Sequence, residues 1–175
     1  TNEPVGATTM EMKCMADLLR YLNLVQKNRT TRGTRMNDSS SRNPIGEGGY
    51  SGSGYTHDAQ VVVYDGPDSD YAGKEIYIGS NEDKVVIVDV TDKTNPVLIS
   101  VVTYTNDAYT HQGWFTEDLN YFILGDEIDE LNFGFNTRNI VFDFTDLDNP
   151  QLSFEYSGPT SATDHNGYVD GDKFY

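Results

Sequence analysis

From residue 55 onward, short apolar runs rich in Val, Ile and aromatic residues are separated by Gly, Pro, Asn and Asp. The runs are "AQVVVYDG" (59–66), "KEIYIGS" (74–80), "KVVIVDVTD" (84–92) and "PVLISVVTY" (96–104). Each is seven to nine residues long with its flanking turn residues, and so each predicts a β-strand. Residues 9–27 follow a different period. There Met12, Met15, Leu18, Leu19, Leu22 and Val25 recur at spacings of three and four, which predicts a helix that packs through one face. Thr8 or Thr9 is placed to cap its start. Residues 28–54 are rich in Ser, Gly, Asn and Arg and predict an exposed linker. The chain thus divides into a head, residues 1–50, and a strand-rich body, residues 51–175.

The body repeats itself. "VVIVDVTDKTNP" (85–96) is matched by "NIVFDFTDLDNP" (139–150), with Asp89 against Asp143, Asp92 against Asp146 and Asn95-Pro96 against Asn149-Pro150, all 54 residues apart. An Asp-x-Thr-Asp turn offers side-chain acceptors to its own backbone amides, and Asn-Pro then sets an extended entry to the next strand. The three histidines, His57, His111 and His165, also fall 54 residues apart. Between these anchors the spacing differs. About nine extra residues lie in the first hairpin of the first unit, and about nine lie later in the second. Four short strands per period of this length predict an all-β chain of propeller blades, each a four-stranded antiparallel sheet. Two blades and the start of a third make an incomplete ring. The sequence is therefore expected to be a fragment, or to be completed by further segments or copies.

Charge narrows the partners. The net charge of −16 argues against a nucleic-acid partner, because phosphate binding needs a basic face. The acidity belongs to the body, where five Lys/Arg stand against 23 Asp/Glu, whereas residues 1–50 carry seven against five. No apolar run is long enough to span a membrane, and no secretory signal peptide is visible. Cys14 is the single cysteine and has no internal disulfide partner. Asn28 and Asn37 open N-glycosylation tripeptides, which fits a secreted glycoprotein.

"YTHDAQVVVYDGPDSDYAGKEIYIGSNEDKVVIVDVTDKTNPV", "YTHQGWFTEDLNYFILGDEIDE" and "DHNGYV" resemble the choice-of-anchor B proteins, propellers built from LVIVD-type repeats, over about residues 50–175. The resemblance implies a secreted or cell-surface propeller that serves as a binding or scaffold module in an extracellular assembly with protein partners. It implies no well-established enzymatic activity, and it does not extend to the head.

In a propeller, the loop entering the first strand of a blade and the loop leaving the second lie on one rim. That places His57, Asp58, His111, Asp164 and His165 beside Glu82, Asp126 and Glu127 as a candidate channel-rim ligand or metal site. Imidazole with carboxylate suits zinc, iron or manganese. The run 126–130 is expected as a solvated loop, and Asp126, Asp129 and Glu130 are the candidate calcium ligands. A histidine reused in each unit also serves as a packing peg, its ring bonded to a neighbouring carbonyl. The peg is the expected role here, with a weak or absent metal at the histidines and calcium the likelier ion. Trp114 is expected in the core between blades. The rival reading is a metal-dependent hydrolase or lyase whose rim metal activates water. No nucleophile triad, P-loop, dinucleotide fingerprint or cysteine-rich metal motif is present, so no catalytic residue is assigned.

Overall fold

The computed structural model describes residue 50 and residues 52–175. The helix expected at 9–27, most of the linker, Cys14, Asn28 and Asn37 lie outside the described residues.

The body is mostly β. A first antiparallel sheet takes strands in sequence order: β1 (Asp58–Val63), β2 (Glu75–Ser80), β3 (Val85–Asp89) and β4 (Val97–Val102). A second follows the same order with β5 (Thr110–Phe115), β6 (Tyr121–Asp126), β7 (Arg138–Asp143) and β8 (Gln151–Ser157). A two-stranded hairpin, β9 (Val169–Asp170) and β10 (Lys173–Phe174), ends the chain. The runs "VVIVD" and "NIVFD" are the third strands of the two sheets, and each has a register shift against its fourth strand, between Ile87 and Val88 and between Val141 and Phe142.

The matched turns work as their side chains require. Asp89 accepts the Thr91 N–H at 2.9 Å, and Asp143 accepts the Thr145 N–H at 2.9 Å. These local bonds hold the Asp143 carboxyl below its ordinary range; at Asp89 they do so against partial burial, with help from Lys74.

The sheets meet through β1 and β2 against β5. The shared core takes Ile76, Ile78, Val85 and Ile87 from the first sheet and Phe115, Phe122, Leu124, Ile140, Phe142 and Phe144 from the second. Aromatic rings fill most of the second sheet's share, with Phe122 stacked on Phe144 at 5.4 Å. Because β2 is covered on both faces, all six of its residues are buried. Val61, Tyr77, Val86 and Val88 form a second apolar cluster on the first sheet's other face. The fourth strand of the second sheet is exposed along its whole length.

Buried side-chain amides join one layer to the next. Gln60 Oε1 accepts the Phe115 N–H at 2.9 Å, and Gln112 Oε1 accepts the Gly167 N–H at 2.9 Å. Trp114 is half-buried, edge-on to Tyr168 at 5.1 Å between ring centroids. It lies between the second sheet and the segment leading to the terminal hairpin.

The extra residues of the two units sit at opposite ends. In the first sheet they form the β1–β2 loop, 64–74, which includes a 3-10 turn at Ser69–Tyr71. In the second they form the β6–β7 loop, 127–137, with the short helix α1 (Asp129–Phe133). Among the described residues no helix is long and apolar enough to cross a membrane.

Candidate functional site

All three histidines lie at the strand end reached by the β2–β3 and β6–β7 loops. His57 stands just before β1, with its N–H bonded to the Ser80 carbonyl at 2.8 Å. His111 is within β5, where the pairing with β6 skips from Thr110 to Gln112. A residue bulged out of register is re-aimed relative to its neighbours. His165 precedes β9. The rings form a ladder, with centroids 4.4 Å apart from His57 to His111 and 4.4 Å apart from His111 to His165.

The middle ring is both a peg and an open ligand. His111 Nδ1 lies 2.7 Å from the His165 backbone carbonyl. A carbonyl can only accept, so Nδ1 carries the proton. Nε2 points the other way, 3.5 Å from Glu127 Oε2, while His165 Nε2 stands 3.9 Å from Glu127 Oε1. Burial pushes the His111 pKa down, and His57 and His165 push it further, with Glu127 opposing. The neutral ring therefore presents an Nε2 lone pair to a carboxylate oxygen. Donor atoms of His111, Glu127 and His165 all lie within 4.8 Å of one another. The peg and ligand roles, set against each other on the sequence, use different nitrogens of one ring. A ring proton held by a backbone carbonyl is also the usual way a metal-ligating histidine is oriented.

His57 is adjacent but differently engaged, with Nδ1 3.0 Å from the Tyr109 hydroxyl. Burial and then the charge of Glu82 push the Tyr109 phenol up to about 12, so it stays protonated. Glu82 is exposed, sits at φ 58° and bridges to Thr110 through its backbone. Its carboxylate therefore acts on Tyr109 and is not among the donors gathered at His111. Asp58 accepts the N–H of its own neighbour Ala59 at 2.6 Å.

The acids at and after the end of β6 depart from the expected solvated loop, because Asp126, Asp129 and Glu130 are all buried. Asp126 is not among the donors gathered at His111, and its carboxylate is engaged with the chain around it. Its oxygens accept from the Tyr104 hydroxyl at 2.7 Å, the Ala108 N–H at 2.8 Å and the Tyr109 N–H at 2.7 Å. Those bonds fix the strand entering the histidine ladder. Burial and the Asp126 charge in turn push the Tyr104 phenol up. Asp129 Oδ2 accepts from Arg138 Nε at 2.6 Å. Asp164 lies over Gly125 and is not among the donors gathered at His111; a Cβ at Gly125 would come within 2.8 Å of Asp164 Oδ2. Burial and the charges of Glu130, Asp129 and Asp126 raise the Asp164 carboxyl to about 8.

Sequence reasoning passed over Tyr104, Tyr109 and Arg138. Arg138 had a signal, being the one cation near an acidic run and at the head of a strand. A second acidic group, Asp68, Asp146 and Asp148, gathers at the opposite end, where the 3-10 turn of the first sheet's hairpin meets the β7–β8 turn. Its oxygens are engaged with the Leu147 N–H, the Tyr71 hydroxyl and the turn's own amides.

Compared with known proteins, the chain matches no family model and no curated sequence.

Proposed function

We propose that residues 50–175 are part of a β-propeller of the LVIVD-repeat, choice-of-anchor B kind. In this reading the protein works outside the cell as a binding or scaffold module, with a divalent transition metal held at its histidine end. Supporting the propeller are two four-stranded antiparallel sheets with matching strand order, matched Asp turns and a histidine at each entry. The metal rests on one observation. His111 Nε2, with its lone pair exposed by the Nδ1–carbonyl bond, faces the Glu127 carboxylate at 3.5 Å, with His165 beside it.

Two acceptors that face each other repel unless a cation joins them. Protonating His111 would supply one, but burial opposes that. A metal ion supplies it without a proton. Donors bound to one tetrahedral zinc at about 2.0–2.1 Å stand roughly 3.3 Å apart, close to the separation seen here. Two imidazoles and a carboxylate suit zinc, iron or manganese better than calcium.

A second reading, a metal-dependent hydrolase or lyase, is favoured by the exposure of the site. The His165 side chain is 66% exposed, and three protein donors leave a fourth tetrahedral position open to water.

Metal analysis after zinc loading and desalting tests the proposal. About one equivalent is expected for the native chain and much less for His111→Ala. A metal-free native chain whose imidazole NMR signals ignore added zinc would overturn it. Chelator-sensitive turnover of an activated ester such as p-nitrophenyl acetate would favour the enzyme, and its absence the binding module.

A further inference from the structure

All the buried side-chain polar atoms without a partner among the described residues belong to three carboxylates: Asp129 Oδ1, Glu130 Oε2, and Asp164 Oδ1 and Oδ2. Asp129 and Glu130 are 0% and 6% exposed. An unpartnered buried oxygen loses its water without replacement, and a buried carboxylate loses far more. Three carboxylates with such atoms, two of them linked through the Asp164 backbone N–H and Glu130 Oε1, leave a deficit of positive charge.

The chain brings the three together from separate segments. Asp129 and Glu130 lie in α1, within the β6–β7 loop. Asp164 arrives 34 residues later, and its backbone N–H bonds Glu130 Oε1 at 3.3 Å. Gly125 leaves room for the Asp164 carboxylate to lie against β6. Arg138 is the cation of this pocket, and it is committed elsewhere. It bonds Asp129 Oδ2, Glu155 and the carbonyls of Thr105 and Asn106, and so neutralises one edge of the cluster only. A cavity of about 310 Å³ lined by Gly125, Asp164, His165 and Gly167 runs along the same segment.

We infer that Asp129, Glu130 and Asp164 form a calcium site, distinct from the histidine site, that ties the segment before β9 to the β6–β7 loop. Oxygen-only donors select a hard cation, and a site of six to eight oxygens at about 2.3–2.6 Å accepts both Asp164 oxygens with one each from Asp129 and Glu130, water completing it. The trio is looser than the His111 set, whose donors all lie within 4.8 Å of one another. Calcium binding therefore draws the Asp164 segment inward. Magnesium, which demands a small regular octahedron, binds more weakly.

The test is calcium titration of the chelator-stripped chain by calorimetry, with thermal melting alongside. The expected result is one saturable equivalent and a Tm that rises with calcium. Asp164→Asn weakens calcium binding at least tenfold. It also melts no lower than the native chain without calcium, because it removes a buried repulsion, so loss of binding cannot be ascribed to unfolding. Glu130→Gln acts in the same direction. His165→Ala, which removes an exposed ligand of the histidine site but keeps the backbone carbonyl that holds His111, leaves calcium affinity unchanged, so the two sites fail separately. A folded native chain that takes up no calcium, or an Asp164→Asn variant that binds as the native chain does, would overturn the inference.

Discussion

The two sheets share a frame and differ in where each carries its extra residues. In the first, the long loop is β1–β2, at the end away from the histidines, and it acts as a clip. Asp68 accepts the Leu147 N–H at 2.9 Å, and Tyr71 bonds Asp148 at 2.9 Å. In the second, the long loop is β6–β7, at the histidine end, and it carries Glu127, Asp129 and Glu130. An antiparallel sheet tolerates added length at either end, because the strands hold their own register. The end at which length is added decides whether it staples neighbours or brings donor atoms to a shared entry.

The largest contrast should appear where the chain enters the third strand. Arg138 is buried and paired with Asp129, whereas the corresponding residue of the first sheet, 54 positions earlier, is Lys84, which pairs with the adjacent Asp83. Arg138→Ala leaves Asp129 buried without its partner and is expected to cost about 3–5 kcal/mol. Lys84→Ala should stay within about 0.5 kcal/mol. Urea denaturation of both variants measures the difference, and equal losses would mean that the sheets do not differ as described.

Acidity sharpens the same contrast. Asp164 and Asp129 are raised to about 8 and about 6 from an ordinary value of 3.8. An acid with a raised folded pKa takes up a proton on folding, so native stability falls as pH rises between the two values. For Asp164 that window runs from about 4 to about 8. Asp89, Asp92 and Asp143, held low by turn hydrogen bonds, have the opposite sign and lose their contribution as pH falls. In calcium-free buffer, stability should decline from pH 6 to pH 8, and Asp164→Asn should flatten that decline. An unchanged slope in the variant would assign the decline to other groups.

The smallest expected difference lies in the shared frame. Asp89→Ala and Asp143→Ala each remove a side-chain acceptor from an equivalent turn and should cost about 0.5–1.5 kcal/mol. The two losses should agree closely. The Asp89 ion pair with Lys74, at 3.2 Å, adds little because the lysine is exposed. A discrepancy above about 1 kcal/mol would show that the turns are not interchangeable.

The strands and turns were legible because their signals are local. Apolar runs of strand length and Asp turns that bond their own amides need no knowledge of distant residues. The spacing of the histidines was legible for the same reason. The site was only partly so. Nothing in "GDEIDE" tells that Asp126 is consumed by Tyr104 and two backbone amides, since those donors come from the β4–β5 connection. Nor does spacing show that Asp164 closes on Glu130, or that the bulge at residue 111 directs one ring nitrogen to a carbonyl and the other to Glu127. Each depends on which chain segments become neighbours after the sheets pack.

The histidine ladder also has a symmetry. The planes of His57 and His111 are tilted by 43°, and those of His111 and His165 by 44°, at the same 4.4 Å spacing. His111 therefore meets each of its neighbours at the same distance and nearly the same tilt, and removing its ring takes one ring contact from each of them.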